Sequence, residues 1–412
     1  MNSFSLVCIT CKREFSPDEV LYTCPECGTR KGTLEVRYKM PRQKHCRPED
    51  LFQAIGRRDM WRYWPLLPFK SVEADFSPLE VGPSPTISCD KLAKKLGMSR
   101  LFLKDDGRNP SASLKDRASN VAVAKALELG FSNIYCASTG NAASSLSCIS
   151  AAAGLNCYIF VPAATPEAKL SQMLVFGSRV LRIDASYDEV FDLSMSIGEE
   201  KGWYCRNSAI NPYLLEGKKT ATFELFEALN WNVPDYILVS AGDGTILSSV
   251  YKAIMDLLDY GLISRSPVVL GVQGENSSAI ADTYDSGFPF EPIDQTTQCV
   301  ADSINVGKPR DVIKACSYTK QNGGGFIRVS DDEIVAAIYT LARTCGIFSE
   351  PAGAAALAGL EKALADGIIG RKASVALLIT GNGLKDIRPV AALCKESKVL
   401  PPDEKLIKEE LK

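Results

Sequence analysis

From about residue 100 onward, short apolar runs alternate with longer helical stretches, and this alternation restricts the fold more than any other feature of the chain. Candidate strands are RLFLKD (100–105), NIYCAS (133–138), CYIFVP (157–162), YILVSA (236–241), VVLGVQG (268–274) and VALLITG (375–381). Candidate helices cover 115–130, 141–154, 167–177, 186–200, 215–230, 245–260, 331–345, 352–366 and 385–395. Near-continuous apolar strands separated by helices are what a parallel sheet covered on both faces requires. There are more such units than one open sheet usually holds. The spacing therefore predicts two α/β domains with parallel sheets and a cleft between them, over residues 38–205 and 206–398. Residues 1–37 read as a separate small segment, and 399–412 as a charged surface tail. The stretch 38–76, rich in Pro, Arg and aromatics, reads as an irregular connector.

Charge and composition remove several classes of function. Lys+Arg numbers 47 and Asp+Glu 49 in 412 residues, a net charge of -2. Such a balance offers no field for nucleic acid or an anionic membrane. No apolar run approaches the ~18 residues that span a bilayer, and the opening MNSFSLVCITCKREF lacks a signal-peptide layout. A cytoplasmic protein is expected. The sequence has one histidine, His45, in the polar and basic stretch MPRQKHCRPED, which reads as a solvated surface position. Ser–His–Asp catalysis, multi-histidine metal sites and histidine relays would all have to run through this one residue. Proton transfer must fall to a lysine, a carboxylate or a bound cofactor.

Fourteen cysteines without a signal peptide read as thiols or metal ligands and not as disulfides. Cys136, Cys148 and Cys157 lie in apolar surroundings and read as buried small hydrophobes. Cys8 and Cys11 form C-I-T-C, Cys24 and Cys27 form C-P-E-C, and twelve residues separate the pairs. Two such knuckles can wrap four thiolates tetrahedrally around Zn(II). A degenerate ribbon without metal, or iron on the same ligands, are the alternatives. Four protein ligands leave no open position, so the expected contribution is stability and not chemistry. Loss of one thiolate should loosen the N-terminal segment alone.

Four strand-to-helix junctions gather polar residues where open α/β sheets bind ligands. In FLKDDGRNPSASLKDRASN, Lys115 follows a small-residue loop and opens a helix, where burial and the helix dipole both disfavour an ammonium. A neutral amine is the form that attacks a carbonyl. In YCASTGNAASSLS, the loop Ser138-Thr139-Gly140-Asn141 leads into a helix whose free amides favour an anion. In YILVSAGDGTILSS, Gly242 and Gly244 allow the backbone to approach a phosphate, and Thr245 adds a hydroxyl. Asp243 has the wrong charge for that role and is expected to point away. No Gly-Lys-Ser/Thr follows, so this is not a Walker loop, and the third glycine of the dinucleotide fingerprint is missing. In VALLITGNGLKD, Thr380 ends a strand and could meet a ring nitrogen without carrying charge.

The motifs LKDDGRNPSASLKDR, ASTGNAASS, NPYLLEGKKT, GDGT, SEPAGAAALAGL and TGNGLKD occur in order over about residues 77 to 390. Together they resemble those of fold-type II pyridoxal-phosphate enzymes, and of threonine synthases most closely. The N-terminal ribbon also resembles one carried by some members. The resemblance implies that pyridoxal 5'-phosphate is the cofactor and Lys115 the lysine that attaches it and then carries protons. It implies Asn141 on the phenolate oxygen, Gly242, Asp243, Gly244 and Thr245 around the cofactor phosphate, and Thr380 at the pyridine nitrogen. Ser138 and Thr139 would lie beside an amino-acid substrate, and Glu350 near the ring. A homodimer is expected. A neutral partner at the ring nitrogen favours β- and γ-elimination or replacement over transamination.

The chain also departs from the pattern. Threonine synthases commonly carry an arginine in N-P-x-R-x-x-G that helps bind the substrate phosphate; here Leu214 occupies that place. Ala142 stands where Thr is frequent, and Asn382 where His is usual. Losing a bidentate phosphate donor is a large change; Lys218, Lys219 or Arg206 are candidates to replace it. The leading expectation is conversion of O-phospho-L-homoserine and water to L-threonine and phosphate. The alternatives are another β- or γ-lyase or replacement enzyme of the same fold, such as a threonine/serine dehydratase, and a cofactor-free protein that uses the ribbon for binding.

Overall fold

The computed structural model describes residues 3–39, 47–53, 56–70, 79–391, 394 and 399–411, so His45 lies outside the described residues. In chain order the first strands are β1 (Phe4–Cys8), β2 (Glu14–Phe15), β3 (Leu34–Tyr38), β4 (Thr86–Ser88) and β5 (Arg100–Asp105). Then follow β6 (Asn133–Ala137), β7 (Asn156–Pro162), β8 (Arg179–Ile183) and β9 (Tyr204–Cys205). The last are β10 (Tyr236–Ser240), β11 (Val268–Gly274), β12 (Gly325–Val329) and β13 (Ser374–Ile379). They form a three-stranded antiparallel sheet, β2-β1-β3, and two larger sheets, β12-β11-β10-β13-β5-β4 and β8-β7-β6-β9. Both larger sheets are parallel apart from β4, which runs antiparallel on the edge.

Each strand expected from an apolar run is present, with ends within two residues of the reading. The division of the chain is different. β5 lies early in sequence, yet it pairs in parallel with β13 from Arg100↔Ser374 to Asp105↔Ile379. The six-stranded sheet therefore draws on residues from both sides of position 205, and the four-stranded sheet comes from 133–205 alone. The cause is packing: Leu101 and Leu103 share one core with Leu377 and Ile379. The helix Pro351–Ala365 covers this sheet, and its small residues permit close approach. A Cβ at Gly359 would stand 2.5 Å from Val272 Cγ2.

The connector is more ordered than its composition implies. It holds a helix at Pro48–Gln53 and a 3-10 turn at Met60–Leu66. Phe52 stacks near Trp231 and Phe223, and Trp61, Trp64 and Phe69 pack on one another. Aromatic burial, and not hydrogen-bonded regularity, holds this stretch to the body.

The ribbon is not an appended bead. Phe4, Leu6, Leu34, Val36 and Tyr38 belong to the same core as Tyr213, Tyr251 and Tyr318. The Tyr38 hydroxyl donates to Glu216, the Tyr318 hydroxyl donates to Glu35, and Lys314 Nζ donates to the Leu34 carbonyl at 2.9 Å. The charged C-terminal stretch forms an exposed helix, Glu404–Glu410. Among the described residues, no helix is long and apolar enough to cross a membrane.

Candidate active site

The carboxyl ends of β6 and β10 open into a cavity of about 680 Å³. Lys115 lines it at the first position of the helix Lys115–Glu128. The loop before it is short-sided, and Ala112 takes a left-handed conformation, φ 63°. The two residues after Lys115 hold it in place. Asp116 accepts the Ser111 amide at 2.6 Å, and Arg117 is buried between Asp106 at 2.7 Å and Glu224 at 2.6 Å. The Leu114 amide donates to the Thr380 carbonyl at 2.9 Å, which ties the lysine's loop to the end of β13. No described residue offers the Lys115 amine a hydrogen bond or an ion pair. Burial first, and the positive charge of Arg206 second, lower its pKa to about 8, against the opposing pull of Glu350 and Asp243. A fraction of the amine is thus neutral near physiological pH.

Ser138, Thr139 and Asn141 also line the cavity, with Gly140 capping the helix Asn141–Ala153. Asn141 Nδ2 donates to both carboxylate oxygens of Glu350 at 2.8 Å and to Ser303 Oγ at 3.3 Å. Glu350 is buried at the start of the helix Pro351–Ala365, and burial raises its pKa.

Gly242, Asp243, Gly244 and Thr245 lead from β10 into the helix Thr245–Asp259 and line the same cavity. Gly244 has φ 97°, and a Cβ there would meet the Asp311 carbonyl oxygen at 3.1 Å, so both conformation and space call for glycine. Asp243 lines the cavity, and its carboxylate is turned to the Arg310 amide, which it accepts at 2.7 Å. Burial pushes its pKa up to about 6, against Arg310. Thr245 Oγ1 accepts Lys218 Nζ at 2.6 Å. Thr380 is buried beside the lysine loop but does not line the cavity. Leu214 is 1% exposed within the main core and does not line it either.

Several lining residues escaped the sequence reading. Ser303, Arg310 and Lys308 come from the strandless stretch between the helices Ala279–Asp285 and Val312–Gln321. Lys169 and Tyr187 come from starts of helices on the small sheet. Coil without apolar periodicity gives no signal of this kind.

Away from the cavity, the Sγ atoms of Cys8, Cys11, Cys24 and Cys27 all lie within 4.8 Å of one another. That donor set and spacing suit one metal ion.

The cavity fits pyridoxal phosphate. It offers an uncommitted buried amine, a glycine turn onto the amino end of a fifteen-residue helix, and polar loops on the facing wall. The family model for pyridoxal-phosphate dependent enzymes matches residues 78–381, and the chain belongs to this family. Proteins named threonine synthase resemble it almost end to end. That of Methanosarcina acetivorans is 37% identical over 407 residues, covering 98% of each chain. That of Methanocaldococcus jannaschii is 36% identical, covering 94% of this chain and 93% of its own. Among solved structures, the fungal L-serine ammonia-lyase of Rhizomucor miehei has TM-score 0.65 at 20% identity, covering 76% of this chain and 97% of that one. The serine racemase of Dictyostelium discoideum has TM-score 0.62 at 23% identity, covering 73% and 92%. These two share the fold.

Proposed function

We propose that the chain is a threonine synthase that converts O-phospho-L-homoserine and water to L-threonine and phosphate. The near-complete match to proteins of that name carries this reading. When bound, pyridoxal phosphate supplies an electron sink for the pair left on carbon as a proton departs. Lys115 holds the cofactor and, as a neutral amine, takes the proton from the substrate α-carbon and delivers one at a neighbouring carbon. Its lowered pKa suits both directions of transfer. Gly242, Asp243, Gly244 and Thr245 cradle the cofactor phosphate with backbone amides and one hydroxyl. Asn141, steadied by Glu350, faces the phenolate side. Ser138 and Thr139 bind the substrate on the opposite wall. Phosphate leaves the γ-carbon and water adds at the β-carbon. In the ribbon, Cys8, Cys11, Cys24 and Cys27 bind one structural Zn(II), which atomic absorption of freshly purified protein checks. The same reading takes the protein as a cytoplasmic homodimer, checked by sedimentation equilibrium.

One assay separates this from the dehydratase alternative, which Leu214 keeps open. Release of phosphate together with threonine from O-phosphohomoserine is expected. A protein inactive on that substrate, yet forming a keto acid from threonine, would overturn the proposal.

A further inference from the structure

Arg206 is fully buried and lines the cavity. Its Nε donates to Ser119 Oγ at 3.1 Å and its Nη1 to Ser208 Oγ at 3.3 Å. Its Nη2 is buried and donates to nothing among the described residues. None of the described carboxylates lies within ion-pair distance. The titratable neighbours compensate it only weakly. Burial pushes the thiols of Cys157 and Cys205 up to about 11 and that of Cys136 higher still, so all three stay neutral. The Asp116 carboxylate is hydrogen-bonded by Ser111 and acts on the guanidinium only from a distance. A buried guanidinium with an open donor and no directly paired carboxylate is an arrangement folds rarely hold without a ligand.

The two lysines that follow position 214 in the same helix are committed elsewhere. Lys219 pairs with Asp256 at 2.6 Å and with Glu216. Lys218 donates to the Thr245 hydroxyl and does not line the cavity. Arg206 follows the short strand β9. The parallel register Tyr135↔Cys205 sets it beside β6, its amide donates to the Tyr135 carbonyl at 2.8 Å, and Asn207 Oδ1 accepts the Ala137 amide at 2.7 Å. The backbone of Arg206 and Ser208 therefore follows the strand beside the one that leads to Ser138 and Thr139, and the guanidinium reaches Ser119 on the Lys115 helix.

We propose that Arg206, with Ser208, binds the phosphoryl group of the substrate in this chain and sets its preference for phosphorylated over unphosphorylated amino acids. The inference rests on the threonine-synthase reading for the substrate, but not for the existence of the anion subsite.

The test uses the cofactor-loaded enzyme as wild type, Arg206→Met and Arg206→Lys, with inorganic phosphate as the probe. Phosphate should raise the melting temperature of the wild type and leave that of Arg206→Met unmoved, while the phosphate-free Arg206→Met melts at the same temperature or higher. KM for O-phosphohomoserine should rise about tenfold or more in Arg206→Met, with kcat less affected, cofactor content unchanged and partial rescue by lysine. If Arg206→Met keeps the phosphate-induced rise, the proposal falls. It falls also if that variant loses cofactor while phosphate inhibition of the refilled enzyme is unaltered, which would place the guanidinium on the cofactor phosphate. Should Arg206→Met not fold, Arg206→Gln carries the same readout, and an undiminished shift overturns the proposal. A wild type that ignores O-phosphohomoserine but shows an Arg206-dependent phosphate shift sinks the reaction and keeps the subsite. Turnover with an unchanged KM in the variants does the reverse.

Discussion

Burial sets the behaviour of Lys115 because the more distant charges of Glu350 and Asp243 do not outweigh it. With its pKa lowered to about 8, the amine is mostly protonated below that pH and mostly neutral above it. Capture of added pyridoxal phosphate by the apoenzyme should therefore accelerate about tenfold per unit up to pH ~8 and then level off, which stopped-flow absorbance checks. Lys115→Ala should lose both turnover and the borohydride-reducible cofactor adduct; an adduct retained at wild-type level would mean that another lysine attaches the cofactor. Leu214 gives a contrasting case. It sits in the apolar core, so Leu214→Arg would bury an unpaired charge. We expect a loss of ~3–5 kcal/mol of stability and no gain in kcat/KM, measured by thermal melts and phosphate release. Lys115, the Ser138–Asn141 loop and the Gly242–Thr245 loop were legible in the sequence because each begins where an apolar strand ends. Ser303 and Arg310 were not, since they reach the cavity from coil. The uncompensated state of Arg206 could not be read, because it depends on which carboxylates the fold keeps away.

Strands were legible in proportion to how completely they are covered. β7, β10, β11 and β13 are almost wholly apolar, and each stood out. β8 reads RVLRI, lies on the edge of its sheet and is half exposed, so two arginines interrupt the pattern. β9 is two residues long, too short for any periodicity. The ribbon was recognised from its cysteines, but not its attachment. Because β1 and β3 share a core with the helices Tyr213–Ala228 and Thr245–Asp259, the ribbon and the body should melt together. Cys24→Ala should lower the single calorimetric transition of the holoprotein and not split it in two. Deleting residues 1–37 should cost cofactor retention, contrary to the separable segment that the spacing alone implied. Two resolved transitions, the lower one abolished by a chelator, would contradict this.

A buried charge network ties the large sheet to the active-site helices. Lys104 on β5 and Arg117, two residues past Lys115, both pair with Glu224 on the helix Tyr213–Ala228, at 2.7 and 2.6 Å. Burial alone would raise the Glu224 pKa; the two cations outweigh it and hold it down to about 2. A carboxylate depressed in the native state stabilises fully above the unfolded value of ~4.3 and loses that contribution as pH falls toward about 2. Acid unfolding followed by circular dichroism should therefore steepen below pH ~4, and Glu224→Gln should remove that part of the slope at a cost of ~3–5 kcal/mol at neutral pH. The pairing of β5 with β13 also bears on how the chain is made. On a ribosome, β5 emerges long before its partner at Ser374–Ile379, and at roughly 5–20 residues per second the wait is on the order of tens of seconds. During that interval the four-stranded sheet, contiguous in sequence, has all its strands available, whereas β5 lacks its parallel partner and Leu101 and Leu103 lack Leu377 and Ile379. The nascent protein thus carries an open apolar edge until translation is nearly over, and a ribosome stalled before residue 374 would hold a chain that only a chaperone could keep from aggregating.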